Sequence, residues 1–380
     1  MLLAGSDDGV YRIDGLLAGR AEPTRVLESE RVFRVEQFPE LPGVFAATAS
    51  GLFHSPGGET WTRLPVPTDA TVNAVGATQD GERLFIGTFP ERLFVLEDAS
   101  SYFEASTGGP LPDAEDWREP SGFRDHAAAG EWGLQRHDFQ AHVRSIQTHP
   151  AASDRVVVGV EVGGVHVSED RGETWTERGD GTHDDVHHLA IGGPETLVTA
   201  TGYGLYRSDD AGRSWTRLDD ELVGDSEDMD ADTDGLDGST DDPDDDGADS
   251  AADDERREYF RESLVYDGDV YAGAAHGPSP TWPDDDDPRL FVSRADGSVE
   301  SISSPVSEVV IGWTVAKTED AGDETVIGVT YAGTILRARA DALADESSAG
   351  GDEEMFDVVG EVPTTDEVRG RYLPLTWVDD

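Results

Sequence analysis

The stretch that decides the fold runs from Ser168 to Trp175 and reads SEDRGETW, and it returns forty residues later, from Ser208 to Trp215, as SDDAGRSW. Both copies fit the pattern S-x-D-x-G-x-[ST]-W. A third copy ends at Trp61, is one residue shorter and lacks the aspartate. Repetition at a fixed period of this size is typical of repeat architectures such as propellers.

Each residue type in the octapeptide suits a tight turn between two strands. An aspartate accepts backbone N–H groups, a glycine adopts positive φ, and serine or threonine hydroxyls bond locally. The tryptophan then begins the next strand and packs over the turn. We therefore predict a structural role in two hairpin turns for Ser168, Asp170, Gly172, Thr174, Trp175, Ser208, Asp210, Gly212, Ser214 and Trp215.

Short β-branched runs surround each copy and predict four antiparallel strands per repeat. The run at 156–160, for example, leads through two glycines into the run at 165–168. Complete four-strand units begin near Arg31, Ala70, His142, Val186, Tyr259 and Ser307.

The chain opens on what would be a second strand and ends on one lone strand, predicted over 368–378. We therefore predict an all-β, seven-bladed β-propeller whose N- and C-terminal strands complete one shared blade. Six blades is the alternative, because the units at 70–105 and 259–303 are degenerate.

The octapeptide resembles the Asp-box, or BNR, repeat. The whole chain resembles uncharacterised haloarchaeal BNR/WD40-like propeller proteins, and by fold the sialidase and sortilin-type propellers. The resemblance implies a propeller whose boxes are structural and not catalytic. It leaves the function open, since Asp-box propellers include glycoside hydrolases, ligand receptors and assembly factors.

Two insertions interrupt the repeats within what we expect to be a single domain over 1–380. Residues 108–140 are rich in aromatic residues and histidine, which predicts an ordered loop over one face. Residues 221–255 are mostly aspartate, glycine, serine and alanine, which predicts disorder. An EF-hand-like string inside the second insertion lacks the final glutamate and flanking helices, so we interpret it as a chance match.

The composition is extremely acidic, with a formal charge of −53 and a single lysine, Lys317. Only 19 of the 81 acidic residues lie between Asp219 and Glu255, so the acidity is spread over the chain. Such self-repulsion is tolerable in concentrated salt, where the Debye length falls to about 3 Å at 1 M. We therefore expect a halophilic, cytoplasmic protein that binds neither nucleic acid nor membranes. The lack of cysteine excludes disulfides and thiolate ligands.

Candidate site residues come from loops and hairpins at the rim opposite the boxes. Eight of the ten histidines lie between His126 and His188, and several of them fall in these loops. Aligned inner strands also place Asn73, Arg144, His187 and Arg369 at equivalent positions, where arginines would attract an anion. Histidine with carboxylates suits zinc, iron or manganese, but no HxH or HExxH spacing is present, so a metal stays open. The predicted ligand-binding residues are Glu161, His137, His183, Asp185, His187, His276, Tyr203, Tyr331, Arg144 and Arg369.

These observations favour a monomeric, non-catalytic binding or assembly module that holds an unknown protein or small molecule at one propeller face. The alternative is a sialidase-like glycoside hydrolase. Its first arginine would sit in a motif resembling Phe33-Arg34-Val35-Glu36, where a glutamate replaces the expected proline. Tyr331 and Glu161 could be given further catalytic roles, but no motif around them supports this, so no catalytic residue or cofactor is assigned.

Overall fold

The computed structural model describes residues 1–103, 111–130, 132–133, 138–220, 258–285, 287–317, 324–344, 355–367 and 371–378. Seven four-stranded antiparallel sheets make up the fold. Blade 1 contributes β1 (Leu2–Ser6), β2 (Gly9–Asp14) and β3 (Glu22–Glu28) from the start of the chain.

The next three blades follow in chain order. Blade 2 contains β4 (Val32–Phe38), β5 (Leu41–Thr48), β6 (Gly51–Ser55) and β7 (Thr62–Arg63). Blade 3 contains β8 (Thr71–Ala77), β9 (Arg83–Phe89), β10 (Leu93–Glu97) and β11 (Trp117–Arg118). Blade 4 contains β12 (His142–His149), β13 (Ala152–Glu161), β14 (Gly164–Ser168) and β15 (Thr176–Glu177).

The remaining blades repeat the same order. Blade 5 contains β16 (Val186–Ile191), β17 (Leu197–Thr201), β18 (Gly204–Ser208) and β19 (Thr216–Arg217). Blade 6 contains β20 (Tyr259–Tyr266), β21 (Asp269–Ala275), β22 (Arg289–Ser293) and β23 (Val299–Ser301). Blade 7 contains β24 (Val310–Ala316), β25 (Thr325–Thr330), β26 (Thr334–Arg339) and β27 (Asp357–Glu361).

The last strand, β28 (Leu375–Trp377), returns to blade 1 and closes the ring. It pairs antiparallel with β1, with Leu2 opposite Trp377 and Ala4 opposite Leu375. The prediction of seven blades with one shared blade is confirmed, and the six-bladed alternative is wrong. Closure leaves no inner sheet edge exposed at the junction of the two chain ends.

Seven apolar clusters of described residues fill the seven gaps between neighbouring blades. Alternate side chains of one strand enter different gaps: Val156 and Val158 face blade 3, whereas Val157 faces blade 5. A strand buried on both faces needs apolar residues at every position, which explains the unbroken valine run.

A β-bulge recurs in the innermost strand of six blades. One extra residue interrupts the pairing of β4, β8, β12, β16, β20 and β24 with the next strand. Bulges re-aim side chains, and here they lie near the start of each strand, around the propeller axis. The residues at the bulges are Phe33, Asn73, Arg144, His187, Arg261 with Glu262, and Ile311.

The two octapeptides, 168–175 and 208–215, form closely matching turns, which we call the clasp turns. In the first, the hydroxyl of Ser168 accepts the N–H of Gly172 at 2.8 Å and donates to Asp170 at 2.8 Å. Asp170 also accepts both the N–H and the hydroxyl of Thr174, at 2.8 and 2.7 Å. Gly172 has φ 92°, which a side chain would strain.

The insertion at 108–140 is described in part. It includes α2 (Ser121–Ala129), and Phe123 and Trp132 are buried against blade 4. The other described α-helices are α1 (Ser100–Phe103) and α3 (Ala340–Leu343), and 3₁₀ helices span Leu16–Ala18, Ala114–Asp116 and Ser279–Asp284. The acidic insertion predicted over 221–255 lies outside the described residues. Among the described helices, none has the length and apolar character needed to cross a bilayer.

Candidate functional site

A cavity of about 700 Å³ opens at one end of the propeller axis; we call it the cup. Its walls come from the beginnings of the inner strands and from the hairpins between second and third strands. The clasp turns lie at the other end, because β13 begins beside them and runs to Glu161 in the cup. The cup is lined by Arg31, Phe33, Thr71, Asn73, Phe89, His142, Arg144, Glu161, Asp185, His187, Gly202, Tyr203, Tyr259, Arg261, Pro278, Ser279, Pro280, Glu367 and Tyr372.

Contacts across the axis give the cup a floor. Tyr372, just before β28, lies against the guanidinium groups of Arg144 in blade 4 and Arg261 in blade 6, at 5.0 and 4.5 Å from its ring centre. Arg34 of blade 2 forms an ion pair with Glu262 of blade 6 and donates to the carbonyl oxygen of His187. These pairs join blades that are not neighbours, so side chains span the channel.

Arg261 is a buried cation held mainly by aromatic rings. Its residue is 3% exposed, and its guanidinium lies 5.2 Å from the ring centre of Tyr259 and 5.5 Å from that of Trp282. One terminal nitrogen donates to the hydroxyl of Tyr372 at 2.8 Å. Among the described residues, no carboxylate forms an ion pair with Arg261, and its Nε has no hydrogen-bond partner.

Arg144 shares the floor but has a carboxylate partner. Its Nε donates to Glu161, whereas its Nη1 is buried without a hydrogen-bond partner among the described residues. Buried N–H groups without partners are rare in native proteins and costly to maintain. Two such donors belong to residues that line one cavity, so hydrogen-bonding capacity is unmet there among the described residues.

Glu161, Asp185 and His187 converge on the adjacent wall, where one ligand atom from each lies within 4.8 Å of the others. A backbone bridge between Glu161 and Asp185 joins blade 4 to blade 5 and fixes the two carboxylates. Nε2 of His187 faces Asp185 Oδ1 at 3.4 Å, and its Nδ1 lies 2.7 Å from the carbonyl oxygen of Phe260.

Both carboxyl groups of this wall favour the ionised form. Burial is the largest single influence and opposes the charge of Glu161, but the Arg144 guanidinium, His187 and His142 together outweigh it and lower the pKa of Glu161. Burial likewise opposes the charge of Asp185, but His187 and His183 together outweigh it, so the pKa of Asp185 is also lowered. Neither group is therefore poised to donate a proton near neutral pH.

Five predicted site residues line the cup: Glu161, Asp185, His187, Tyr203 and Arg144. His183 lies at the rim, stacked on Tyr203 with ring centres 3.9 Å apart.

Two other predicted residues, His276 and Tyr331, do not line the cup. His276 is half-exposed and contacts Glu258, Asp287 and Arg289. Tyr331 packs against Trp282. His137 and Arg369 lie outside the described residues.

Sequence reasoning missed Arg261, Tyr259 and Tyr372. A signal for Arg261 exists, because a valine or phenylalanine precedes the bulge residue in all six inner strands. Phe260-Arg261 therefore matches Val143-Arg144, and the same alignment that found Asn73 and His187 could have included Arg261. Tyr372 carries no comparable signal, since it precedes the short strand β28.

No protein-family model and no curated protein sequence matches the chain. Among solved structures, an ancestral GH74 enzyme is similar over 87% of this chain and 38% of its own, with 12% identity and a TM-score of 0.56. The GH74 enzyme of Niastella koreensis is similar over 86% of this chain and 45% of its own, with 13% identity and a TM-score of 0.49.

The WD40 propeller domain of Doa1 is similar over 89% of this chain and 87% of its own, with 9% identity and a TM-score of 0.47. In contrast to its match with this WD40 domain, the chain spans less than half the length of each of the two GH74 enzymes. At these identities the likeness shows the propeller fold alone. A shared fold does not by itself choose between catalysis and binding.

Proposed function

We propose that the chain is a non-catalytic binding propeller that holds a small anionic molecule in the cup. The observation that carries the proposal is the pair of unpartnered donors, Arg144 Nη1 and Arg261 Nε, buried at the floor of the cup. An oxygen-rich anion such as a carboxylate or phosphate would satisfy both donors with charge-assisted hydrogen bonds.

The walls of the cup favour binding of an organic anion over binding of a small inorganic ion. Phe33, Phe89, Tyr203, Tyr259 and Tyr372 supply aromatic surface around the polar groups. A mostly apolar concavity with a few convergent polar groups is the usual form of a small-molecule site. A volume of about 700 Å³ also lies within the range of such sites.

The charges of the cup favour binding over glycoside hydrolysis. A glycosidase needs one carboxylic acid with a raised pKa beside a second carboxylate. Glu161 and Asp185 have lowered pKa values instead. Both are held as anions by basic neighbours, which suits fixed recognition of a ligand's donor groups.

The proposal also covers the repeat family, the salt adaptation and the cellular location of the protein. We infer a halophilic, cytoplasmic protein of the Asp-box kind from the acidic, lysine-poor composition and from the hydrogen bonds of the two clasp turns. A protein partner at the same face is the second form that binding could take.

The test uses EDTA-treated full chain in about 2 M KCl, titrated calorimetrically with inorganic phosphate, succinate and citrate. We expect at least one of these anions to bind, and Arg261→Met to weaken that binding by about 10- to 100-fold, as for loss of a charged hydrogen bond. The matched control is Arg213→Met, which removes a half-exposed guanidinium beside a clasp turn at the other end.

Two outcomes would overturn the proposal. One is equal binding by Arg261→Met and the unmodified chain, because the floor donors would then play no part. The other is hydrolysis of any member of a glycoside panel that is lost on neutralising a single buried carboxylate.

A further inference from the structure

We propose that Glu161, Asp185 and His187 form a binding site for one divalent transition-metal cation of the manganese, iron or zinc type. The three side chains come from two neighbouring blades, and their ligand atoms already lie within 4.8 Å of one another. One imidazole and two carboxylates make a mixed donor set that suits these metals.

The hydrogen bond behind His187 prepares its ring for this role. Nδ1 lies 2.7 Å from the carbonyl oxygen of Phe260, so Nδ1 carries a proton that it donates to this acceptor. Nε2 then points toward Asp185 and can present its lone pair. Metal-ligating histidines commonly donate their second nitrogen to a backbone carbonyl in this way, which fixes both tautomer and ring orientation. His187 is 1% exposed, so its ring is held by packing as well.

The two carboxylates are also held in place from outside the cluster. Arg144 donates to Oε2 of Glu161 and leaves Oε1 for a metal. The backbone bridge between Glu161 and Asp185 sets the separation of the two side chains. A site whose ligands are fixed before binding loses less conformational entropy when the cation enters.

A neighbouring group affects the charge balance of this site. The Nη1 atom of Arg144 is buried, belongs to a residue that is 7% exposed, and has no partner among the described residues. A cation at Glu161 adds positive charge beside Arg144 and Arg261. An anion that accepts from the free N–H groups offsets that charge, so a metal and a small anion are compatible in one cup.

The metal site and the anion site proposed above are separate hypotheses that can fail independently. The anion is measured on EDTA-treated protein without metal, whereas the metal is measured with no added anion except chloride. Loss of one result therefore says nothing against the other.

The experiment titrates EDTA-treated full chain with Mn²⁺ in about 2 M KCl, where salt screens the exposed acids. Calorimetry measures affinity and stoichiometry, and the Mn²⁺ paramagnetic resonance signal reports the free ion. We expect one Mn²⁺ per chain above the diffuse background. Asp185→Asn and His187→Gln should each weaken this site at least 10-fold, comparable to the loss of a ligand's supporting partner or more.

The matched control is Asp184→Asn. Asp184 is the sequence neighbour of Asp185, and its exposed carboxylate contacts His183 outside the cluster. This variant removes the same charge from the same loop, and we expect unchanged Mn²⁺ affinity.

Equal losses in Asp184→Asn and Asp185→Asn would mean diffuse binding to acidic residues and would overturn the proposal. So would the absence of any stoichiometric site. A melting curve for each variant separates loss of a ligand from loss of fold, and Asp185→Asn keeps the test decisive if His187→Gln does not fold.

Discussion

The two ends of blade 4 differ in how completely their polar side chains are hydrogen-bonded. At the clasp turn, Asp170 accepts hydrogen bonds with both carboxylate oxygens, and Ser168 and Thr174 complete the set. At the cup, Arg144 leaves Nη1 without a partner among the described residues. A network that satisfies itself contributes to the fold, whereas unmet hydrogen-bonding capacity costs stability and is available to a ligand.

The same contrast holds between neighbouring blades. The clasp turn of blade 5 repeats the contacts of blade 4, with Asp210 accepting from Ser208 and Ser214. The bulge residues of the inner strands share a backbone position but differ in side chain, from Asn73 to Arg144, His187 and Arg261. Repetition therefore marks the groups that build blades, whereas the bulge residues around the axis vary.

The largest effect on stability that we expect from a fully hydrogen-bonded group concerns His166, in β14 of blade 4. Its Nε2 donates to the carbonyl oxygen of Gly163 at 2.8 Å, and its Nδ1 accepts from His126 at 3.0 Å. Burial, with the nearby His126 ring, lowers the pKa of His166 to about 3. The native state therefore favours the neutral ring, whereas the unfolded chain takes up a proton near pH 6.5.

The stability contributed by neutral His166 is fully present above about pH 6.5 and is lost as the pH falls toward 3. The expected loss is about 1.4 kcal/mol per pH unit in this window, or roughly 2 kcal/mol at pH 5. Denaturant unfolding at pH 7 and pH 5 should show that His166→Gln removes this part of the pH dependence. His149→Gln, at the end of β12 in the same blade, should retain it. If the unfolding free energy depends on pH equally in His166→Gln and in the unmodified chain, the account of His166 as a neutral ring hydrogen-bonded to His126 is contradicted.

A smaller effect is expected from Asp170→Ala in the clasp turn. The variant loses the acceptor for three donors of the turn, the hydroxyls of Ser168 and Thr174 and the N–H of Thr174. This loss costs about 1 to 2 kcal/mol of unfolding free energy, as for a lost helix cap. Anion binding in the cup should not change. The control is Asp180→Ala, an exposed aspartate of the same blade, expected within about 0.5 kcal/mol of the unmodified chain. Weakened anion binding by Asp170→Ala would mean that the two ends are coupled.

Most of the architecture could be predicted from the sequence, because its signals are local and repeated. The octapeptides, the glycine-linked hairpins and the valine runs each report on neighbouring residues, and the blade count followed from their spacing. The closing strand was placed over 368–378, but the observed strand is only Leu375–Trp377. A lone strand without its hairpin partner nearby in sequence has no local signal for its bounds.

The site could be predicted only in part, since it depends on contacts across the axis. Glu161, Asp185 and His187 were found because loop position and inner-strand alignment placed them at one rim. His276 was expected to line the cup but instead contacts Glu258 and Arg289 beside it. Which rim residues turn inward depends on the bulge, and a sequence does not show a bulge directly.

The unfolding free energy of Arg261→Met in about 2 M KCl tests most directly whether the cup floor is built for a ligand. Because Arg261 is buried without an ion-pair partner in the part of the chain that the structure describes, its replacement by the shorter, apolar methionine should lower the unfolding free energy by less than about 1 kcal/mol or raise it. A loss of about 3 kcal/mol or more, the cost of breaking a buried ion pair, would show that Arg261 serves the fold and would contradict the contrast between clasp and cup.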